Sequence, residues 1–232
     1  MRSLLSYARV TLASVLLSAV TVSMAAPIVV RTGVDAGLGV LGSGSLDPAW
    51  TISTDGGGTF GAAKVLYSVA QCCGMATVTG EAAWISDASS NAANASSAWG
   101  INRDVYLRRS FDLSGYDLST VFLTGLWRLA DWTFGIYLNG ALITGTDIGN
   151  CGGDQGACGT WFSDHALNVA AGGTGFVSGM NTLEFRGQSI NSVYDGLWFS
   201  GTVDGRKLPE PGSLLLVGAA LLGLAAARRC RA

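Results

Sequence analysis

Alternation between apolar and polar residues dominates the middle of this chain. Within residues 105–111, the alternation places Val105, Leu107 and Phe111 on one face. This period of two is typical of a strand that buries one face. From Trp50 onward there is no convincing helical stripe, and several short apolar runs are predicted strands: 64–69, 75–79, 119–127, 181–186 and 196–203. Many short strands at close spacing predict an all-β protein, a β-sandwich.

A hairpin is predicted in the centre of the chain. Residues 132–138 alternate and are followed at once by Asn139-Gly140. Asn-Gly is the preferred pair for a type I′ turn. Residues 141–144 are therefore predicted to run back beside the first strand.

The N-terminus resembles a secretory signal. Arg2 and Arg9 flank the start of the mostly apolar stretch 10–22, and small residues follow, with cleavage predicted after Ala25 or Ala26. We expect residues 1–26 to be a signal peptide with a short helix, processed by signal peptidase; the alternative is a short buried N-terminal helix.

The C-terminus carries an extended tripeptide before an apolar helix. Two prolines keep Pro209-Glu210-Pro211 out of a helix and accessible. Residues 214–227 carry no polar side chain, and three arginines follow within 228–231. A helix of this composition is stable in lipid or in a deep protein core. It is shorter than the roughly 20 residues that usually span a bilayer. The arginines favour a cytoplasmic end for this segment.

This order of parts resembles the PEP-CTERM sorting signal of exported bacterial proteins. The resemblance covers residues 209–232 and implies recognition of the tripeptide by an exosortase and membrane attachment through the C-terminal helix. The alternative is a buried C-terminal helix. Between the two signals, residues 27–208 are predicted to form one ectodomain.

The charge of the ectodomain argues against nucleic acid as a partner. The two end segments hold five of the 14 basic and one of the 16 acidic residues, leaving 9 basic against 15 acidic groups and a formal charge of -6. Binding a phosphate backbone needs clustered Lys and Arg instead.

The cysteines of the ectodomain are even in number. Cys72, Cys73, Cys151 and Cys158 predict two disulfides in an exported protein, with three possible connectivities. A bridge from Cys151 to Cys158 would restrain a Gly-rich loop but leave a strained vicinal pair. The crossed pairings avoid that strain.

A series of short motifs gives the ectodomain a second resemblance. The motifs are DPAW at 47–50, FDLSGY at 111–116, LTGLW at 123–127, LNG at 138–140, GMNTLEF at 179–185 and GL at 196–197. In this order they resemble the jelly-roll sandwich common in PEP-CTERM proteins, which is similar to galactose-binding-like carbohydrate modules.

Aromatic and polar residues around the predicted hairpin form a candidate carbohydrate site. Flat rings can stack on sugar faces, and nearby polar groups can bond hydroxyls. The alternative is that the rings fill the core and Asn139 makes the turn. The candidate ligand-binding residues are Trp127, Arg128, Asp131, Trp132, Tyr137 and Asn139, with Trp198 as a further ring.

Catalytic signals are weak. The chain has one histidine, His165, and no Gly-x-Ser-x-Gly elbow or phosphate-binding glycine motif. Distant carboxylates could still act in glycoside hydrolysis, with candidates Asp131, Glu184 and Asp195. No cofactor is predicted; a weaker alternative is Ca²⁺ on Asp35, Asp47 or Asp55.

These observations predict an exported, exosortase-sorted surface or matrix protein that binds carbohydrate and has no catalysis of its own. The predicted fold is a jelly-roll β-sandwich flanked by the signal helix and the C-terminal hydrophobic helix. The alternatives are a secreted glycan-active hydrolase and a purely structural matrix component.

Overall fold

The computed structural model describes most of the predicted ectodomain. The described residues are 26–66, 81–89, 103–129, 132–148, 164–173, 175–188, 196–208, 218–221, 223 and 228. One compact unit runs from Ala26 to Gly205 and contains the strands given below. Residues 218–221, 223 and 228 of the second unit are helical. Among the positions described, no helix is both long and apolar enough to span a bilayer.

Eleven strands and one short 3-10 turn make up the described secondary structure of this unit. The 3-10 turn, Leu118–Thr120, is capped by Asp117, whose carboxylate accepts a hydrogen bond from the Ser119 amide. The strands are β1 (Ile28–Arg31), β2 (Leu46–Ser53), β3 (Gly61–Val65), β4 (Ile85–Asp87), β5 (Asp104–Asp112), β6 (Phe122–Leu129), β7 (Trp132–Leu138), β8 (Ala141–Leu142), β9 (His165–Val169), β10 (Met180–Gln188) and β11 (Leu197–Asp204).

All strands belong to one curled antiparallel sheet, which confirms the all-β prediction. Its order is β8-β7-β10-β5-β2-β3-β4-β11-β6-β9, and β1 pairs with β11. We call β8, β7, β10, β5, β2 and β3 the first half and the remaining strands the second half. Curling turns the inner side chains of one half toward those of the other, so the fold is sandwich-like.

Four aromatic rings form the centre of the core. Trp50 of β2 and Phe185 of β10 come from the first half, and Trp127 of β6 and Phe199 of β11 come from the second. Phe185 lies 5.2 Å from Phe199 and 6.3 Å from Trp127 between ring centroids. Each ring removes a large apolar area from water, so these contacts hold the two halves together.

Arg109 points inward beside this core. It lies opposite Trp50 in the β2–β5 pairing, and its guanidinium donates to the carbonyls of Arg31 at 3.2 Å and Val29 at 3.0 Å. Burial lowers the pKa of Arg109, while the charge of Asp47 acts in the opposite direction. The side chain thereby connects β5 of the first half to β1 of the second.

The predicted hairpin is confirmed. Asn139 has a φ of 51° and Gly140 a φ of 82°, the left-handed pair that a type I′ turn requires. The returning strand is shorter than the predicted 141–144, since β8 covers only two residues. Just beyond it the Ile143 amide still donates to the Ile136 carbonyl at 2.8 Å, and then the chain turns, with the Thr146 hydroxyl donating to the Ile143 carbonyl at 2.7 Å.

The other predicted strands are found with shifted ends. Residues 181–186 lie within β10 and 196–203 largely within β11, whereas the predicted strand 119–127 begins only at Phe122 because the 3-10 turn occupies its first residues. The predicted strand 64–69 overlaps β3, and 75–79 lies outside the described residues.

Two facing glycines make room for a core ring. Gly125 of β6 lies opposite Gly201 of β11, and the Phe199 ring covers both. A methyl group on Gly201 would lie 2.5 Å from Phe199 Cζ and 2.7 Å from the Thr124 carbonyl oxygen. Any larger residue at this position must displace the ring from the core.

We therefore expect Gly201→Ala to lower the free energy of unfolding by about 1–3 kcal/mol, since overpacking forces the Phe199 ring to move. Urea denaturation of the full chain measures it. Gly61→Ala is the matched control, because no atom lies within 4 Å of its added methyl group, and its effect should stay within about 0.5 kcal/mol. Equal losses in the two variants would contradict this packing account.

Candidate functional site

The register of β7, β10 and β5 builds a polar and aromatic surface on the outer side of the first half. Glu184 of β10 lies directly opposite Tyr137 of β7 and Arg108 of β5. Two residues along β10, Arg186 lies opposite Tyr106 of β5. Alternate residues share a face in a strand, so these side chains project together. We call this set the arginine–tyrosine face: Tyr106, Arg108, Tyr137, Glu184 and Arg186.

Glu184 is the centre of the face. Its Oε2 accepts hydrogen bonds from Arg108 Nε at 2.8 Å and Nη2 at 2.5 Å, and its Oε1 accepts one from Arg186 Nε at 2.7 Å. The Glu184 side chain is 5% exposed, against 39% for Arg108 and 27% for Arg186. Charge-assisted bonds of this kind are short and directional. The buried carboxylate therefore fixes where both guanidinium groups lie.

Aromatic rings pack against the same guanidinium groups. The Arg186 Cζ lies 3.8 Å from the Tyr137 ring centroid and 4.7 Å from that of Tyr106. The Arg108 Cζ lies 4.0 Å from the centroid of the Phe60 ring. Such contacts are attractive because a ring face carries partial negative charge. Burial by itself lowers the pKa of Arg186, but Glu184, followed by Tyr106 and Tyr137, raises it, and the net shift is upward.

The outward edges of both guanidinium groups are open. Arg108 Nη1 and both terminal nitrogens of Arg186 have no hydrogen-bond partner among the described residues. Each of these nitrogens carries N–H donors and no acceptor. The face therefore presents fixed donors, flanked by rings, to a ligand rich in oxygen acceptors.

A glycine-rich loop supports one side of the face. The Ser53 hydroxyl donates to Asp55 Oδ1 at 2.5 Å and accepts the Gly57 amide at 2.9 Å. The pKa of Asp55 is lowered, first by the Ser53 hydrogen bond and then by the Thr59 amide. Gly57 has a φ of 94°, and a methyl group there would lie 2.9 Å from Tyr106 Cδ2. The loop backbone therefore lies close against the Tyr106 ring.

Two of the sequence-predicted binding residues lie on this outer side. Tyr137 belongs to the arginine–tyrosine face itself. Trp132 lies opposite Gln188 near the start of β7, beyond the row of Arg186, and is half-buried. In the same row Gln188 donates to Asp104 Oδ1 at 2.9 Å. Trp132 thus borders the face, while Asp131 lies outside the described residues.

Trp127 and Arg128 lie elsewhere. Trp127 is 1% exposed within the aromatic core, so it offers no ring face to a ligand at the surface. Arg128 lies opposite Trp198 on the second half of the sheet, and its Nε donates to Asp164 Oδ1 at 2.7 Å. Trp198 is itself buried and donates to the Ala82 carbonyl at 3.3 Å. These three residues are not part of the arginine–tyrosine face.

Asn139 uses its side chain to hold the hairpin. Its Nδ2 donates to the Gly175 carbonyl at 2.6 Å and to Asn181 Oδ1 at 2.7 Å, and its Oδ1 accepts the Thr182 amide at 2.8 Å. Asn181 is fully buried. These bonds anchor the turn to β10 and leave little of the amide for a sugar hydroxyl.

The carboxylates of the predicted calcium site accept hydrogen bonds from backbone amides. Asp35 Oδ1 accepts the amides of Gly37 and Gly39, both at 2.8 Å. Asp47 accepts three backbone amides, including that of Gly33 at 2.6 Å. Within the described ranges no group of three or more His, Cys, Asp or Glu residues is arranged to hold a metal. Calcium binding by Asp35, Asp47 or Asp55 stays a prediction.

Two other sets of predicted residues cannot be placed. The cysteines, Cys72, Cys73, Cys151 and Cys158, lie outside the described residues, as does the sorting tripeptide Pro209-Glu210-Pro211. The disulfides and the sorting signal therefore also stay predictions.

The arginines of the face were missed by sequence reasoning. The sequence offers Glu184 only as a catalytic candidate and does not single out Arg108, Arg186 or Tyr106 as site residues. The alternation of β5 and β10 marks all four as outward-facing. Only the strand pairing, which joins positions 76 residues apart, makes them neighbours.

No protein-family model and no curated protein matches this chain. The resemblances to PEP-CTERM proteins and to galactose-binding-like modules thus rest on the sequence motifs.

Proposed function

We propose that this chain is an exported surface or matrix protein that binds extracellular polysaccharide through the arginine–tyrosine face. The observation that carries this proposal is the position of Arg186 between Tyr137 and Tyr106, with its terminal nitrogens free of described partners. Sugars combine apolar ring faces with many hydroxyl oxygens. Aromatic rings next to fixed donors meet both requirements.

Rigidity favours binding at this surface. The Arg186 guanidinium is held by one hydrogen bond to Glu184 and by two rings, so a ligand need not order it. Association loses less free energy when the contact side chains are already immobilised. The strands below the face hold these side chains at fixed spacing.

A binding role is better supported than glycoside hydrolysis. A hydrolase needs one carboxyl group to give a proton and a second to act as base or nucleophile. Both Glu184 oxygens already accept hydrogen bonds from guanidinium donors, and the side chain is almost fully covered. The alternative of a secreted hydrolase thus finds no support in Glu184. A purely structural matrix component would not need the open donors.

The proposed location and finer fold rest on the sequence. Signal peptidase would remove residues 1–26, and an exosortase would recognise Pro209-Glu210-Pro211 while the C-terminal helix holds the chain in the membrane. The mature product would then belong to the cell surface or matrix. The two facing halves of the curled sheet support the further proposal that residues 27–208 form a jelly roll. The two proposed disulfides rest on the even number of cysteines in this segment.

Replacing Pro209-Glu210-Pro211 with three alanines should leave the chain unprocessed in the membrane fraction of the native host, because the exosortase loses its recognition motif. Mass spectrometry of the C-terminus and cell fractionation measure this. Alanines at Arg206-Lys207-Leu208, just upstream, provide the matched control and should be processed normally. Unchanged processing of the first variant would refute the sorting proposal.

Tyr137→Ala should weaken binding of the full chain to any glycan it recognises on an array by about tenfold, because one ring contact to the ligand and one wall of the Arg186 site are lost. Circular dichroism checks the fold. Phe122→Ala, which removes a half-buried ring from the second half of the sheet, should bind as the wild type does. Retained binding by Tyr137→Ala would place any site elsewhere, and no binding by the wild type would refute the carbohydrate-binding proposal.

A further inference from the structure

We propose that the arginine–tyrosine face recognises sugar units that carry a carboxylate, the uronic acid class, through paired hydrogen bonds from Arg186 assisted by Arg108. This inference rests on the proposed function, because it names the class of glycan that the same face takes.

Arg186 offers one complete donor edge. A guanidinium group has two edges that can grip a carboxylate with paired N–H bonds. On Arg186 the Nε side is occupied by Glu184 Oε1, at 2.7 Å. The remaining edge, between Nη1 and Nη2, has no partner among the described residues. Its spacing matches the two oxygens of a carboxylate.

The rings determine the approach to that edge. The Arg186 central carbon lies over both tyrosine rings, 3.8 Å from the Tyr137 centroid and 4.7 Å from that of Tyr106. Because these rings occupy the space beside the guanidinium group, a ligand oxygen reaches Arg186 at the edge between Nη1 and Nη2. In-plane approach is the geometry of paired carboxylate recognition, whereas a point-like cation imposes no such direction.

Arg108 supplies a second guanidinium donor beside that of Arg186. Its Nε and Nη2 both bind Glu184 Oε2, which leaves Nη1 without a partner among the described residues. The side chain is the more exposed of the two arginines. A sugar whose carboxylate lies on Arg186 could thus direct a ring or hydroxyl oxygen to Arg108.

The charges around the face favour directed contacts over a general attraction to polyanions. Glu184 offsets one of the two arginines, and Asp104 and Asp55 lie on the neighbouring row and the supporting loop. No excess of positive charge results. The affinity should therefore fall with salt concentration only as much as the loss of one or two ionic contacts requires. A basic patch that releases many counterions would show a steeper fall.

Matched polymers test this inference. The full chain is titrated with polygalacturonate and with carboxyl-reduced polygalacturonate, which differs only in having a hydroxymethyl group for each carboxylate. We expect the reduced polymer to bind about tenfold or more weakly, since bonds to a charged acceptor are lost. Dextran sulfate and plain dextran serve as the sulfated and neutral probes, and both should bind more weakly than polygalacturonate.

Protein variants assign the effect to the side chains. Arg186→Lys keeps the charge but loses the paired edge, so its affinity for polygalacturonate should fall about tenfold while its affinity for dextran does not change. Arg31→Gln, which removes a cation from β1 on the second half of the sheet, should bind as the wild type does. Circular dichroism of each variant confirms the fold.

The outcomes separate the inference from the function on which it rests. Equal binding of the two polygalacturonates, or full affinity in Arg186→Lys, would overturn carboxylate recognition while leaving carbohydrate binding in place. Tighter and steeply salt-dependent binding of dextran sulfate would overturn it in favour of a general polyanion surface. No binding of any of the four polymers, together with a blank glycan array, would remove the proposed function itself.

Discussion

The antiparallel register of β7, β10 and β5 is the constraint on which both sides of the sheet depend. In β10 it places Phe185 in the aromatic core and the flanking residues Glu184 and Arg186 on the outer surface. A slip of one residue would bury both charges and expose the ring. The hairpin at Asn139-Gly140 helps to hold this register, because the Asn139 side chain bonds directly to β10.

The hydrogen bonds of Glu184 position the two arginines more than they stabilise the fold. Covering a carboxylate costs several kcal/mol, and its hydrogen bonds with Arg108 and Arg186 offset that cost instead of adding a large surplus. Most of the free energy that holds the two halves together comes from the buried rings. What the network supplies is two guanidinium groups held in place at the surface by one buried carboxylate.

Local patterns predicted the strands, but not the site. Alternation in 105–111 and the Asn-Gly pair act over a few residues, so the hairpin and the all-β class could be predicted from them. The site prediction places Trp127 and Arg128 in one site, yet neighbouring residues of a strand point to opposite faces of the sheet. Arg108 and Glu184 meet only through strand pairing across 76 residues, a distance at which local patterns carry no information.

The most direct test of this account measures the free energy of unfolding for Glu184→Gln in two backgrounds. In the wild type the change should lower it by about 1–3 kcal/mol, because charge-assisted bonds are lost. In Arg108→Gln/Arg186→Gln the carboxylate is covered and unpaired, so the same change should raise the free energy of unfolding. A change of equal sign and size in both backgrounds would contradict the claim that Glu184 organises the arginine–tyrosine face.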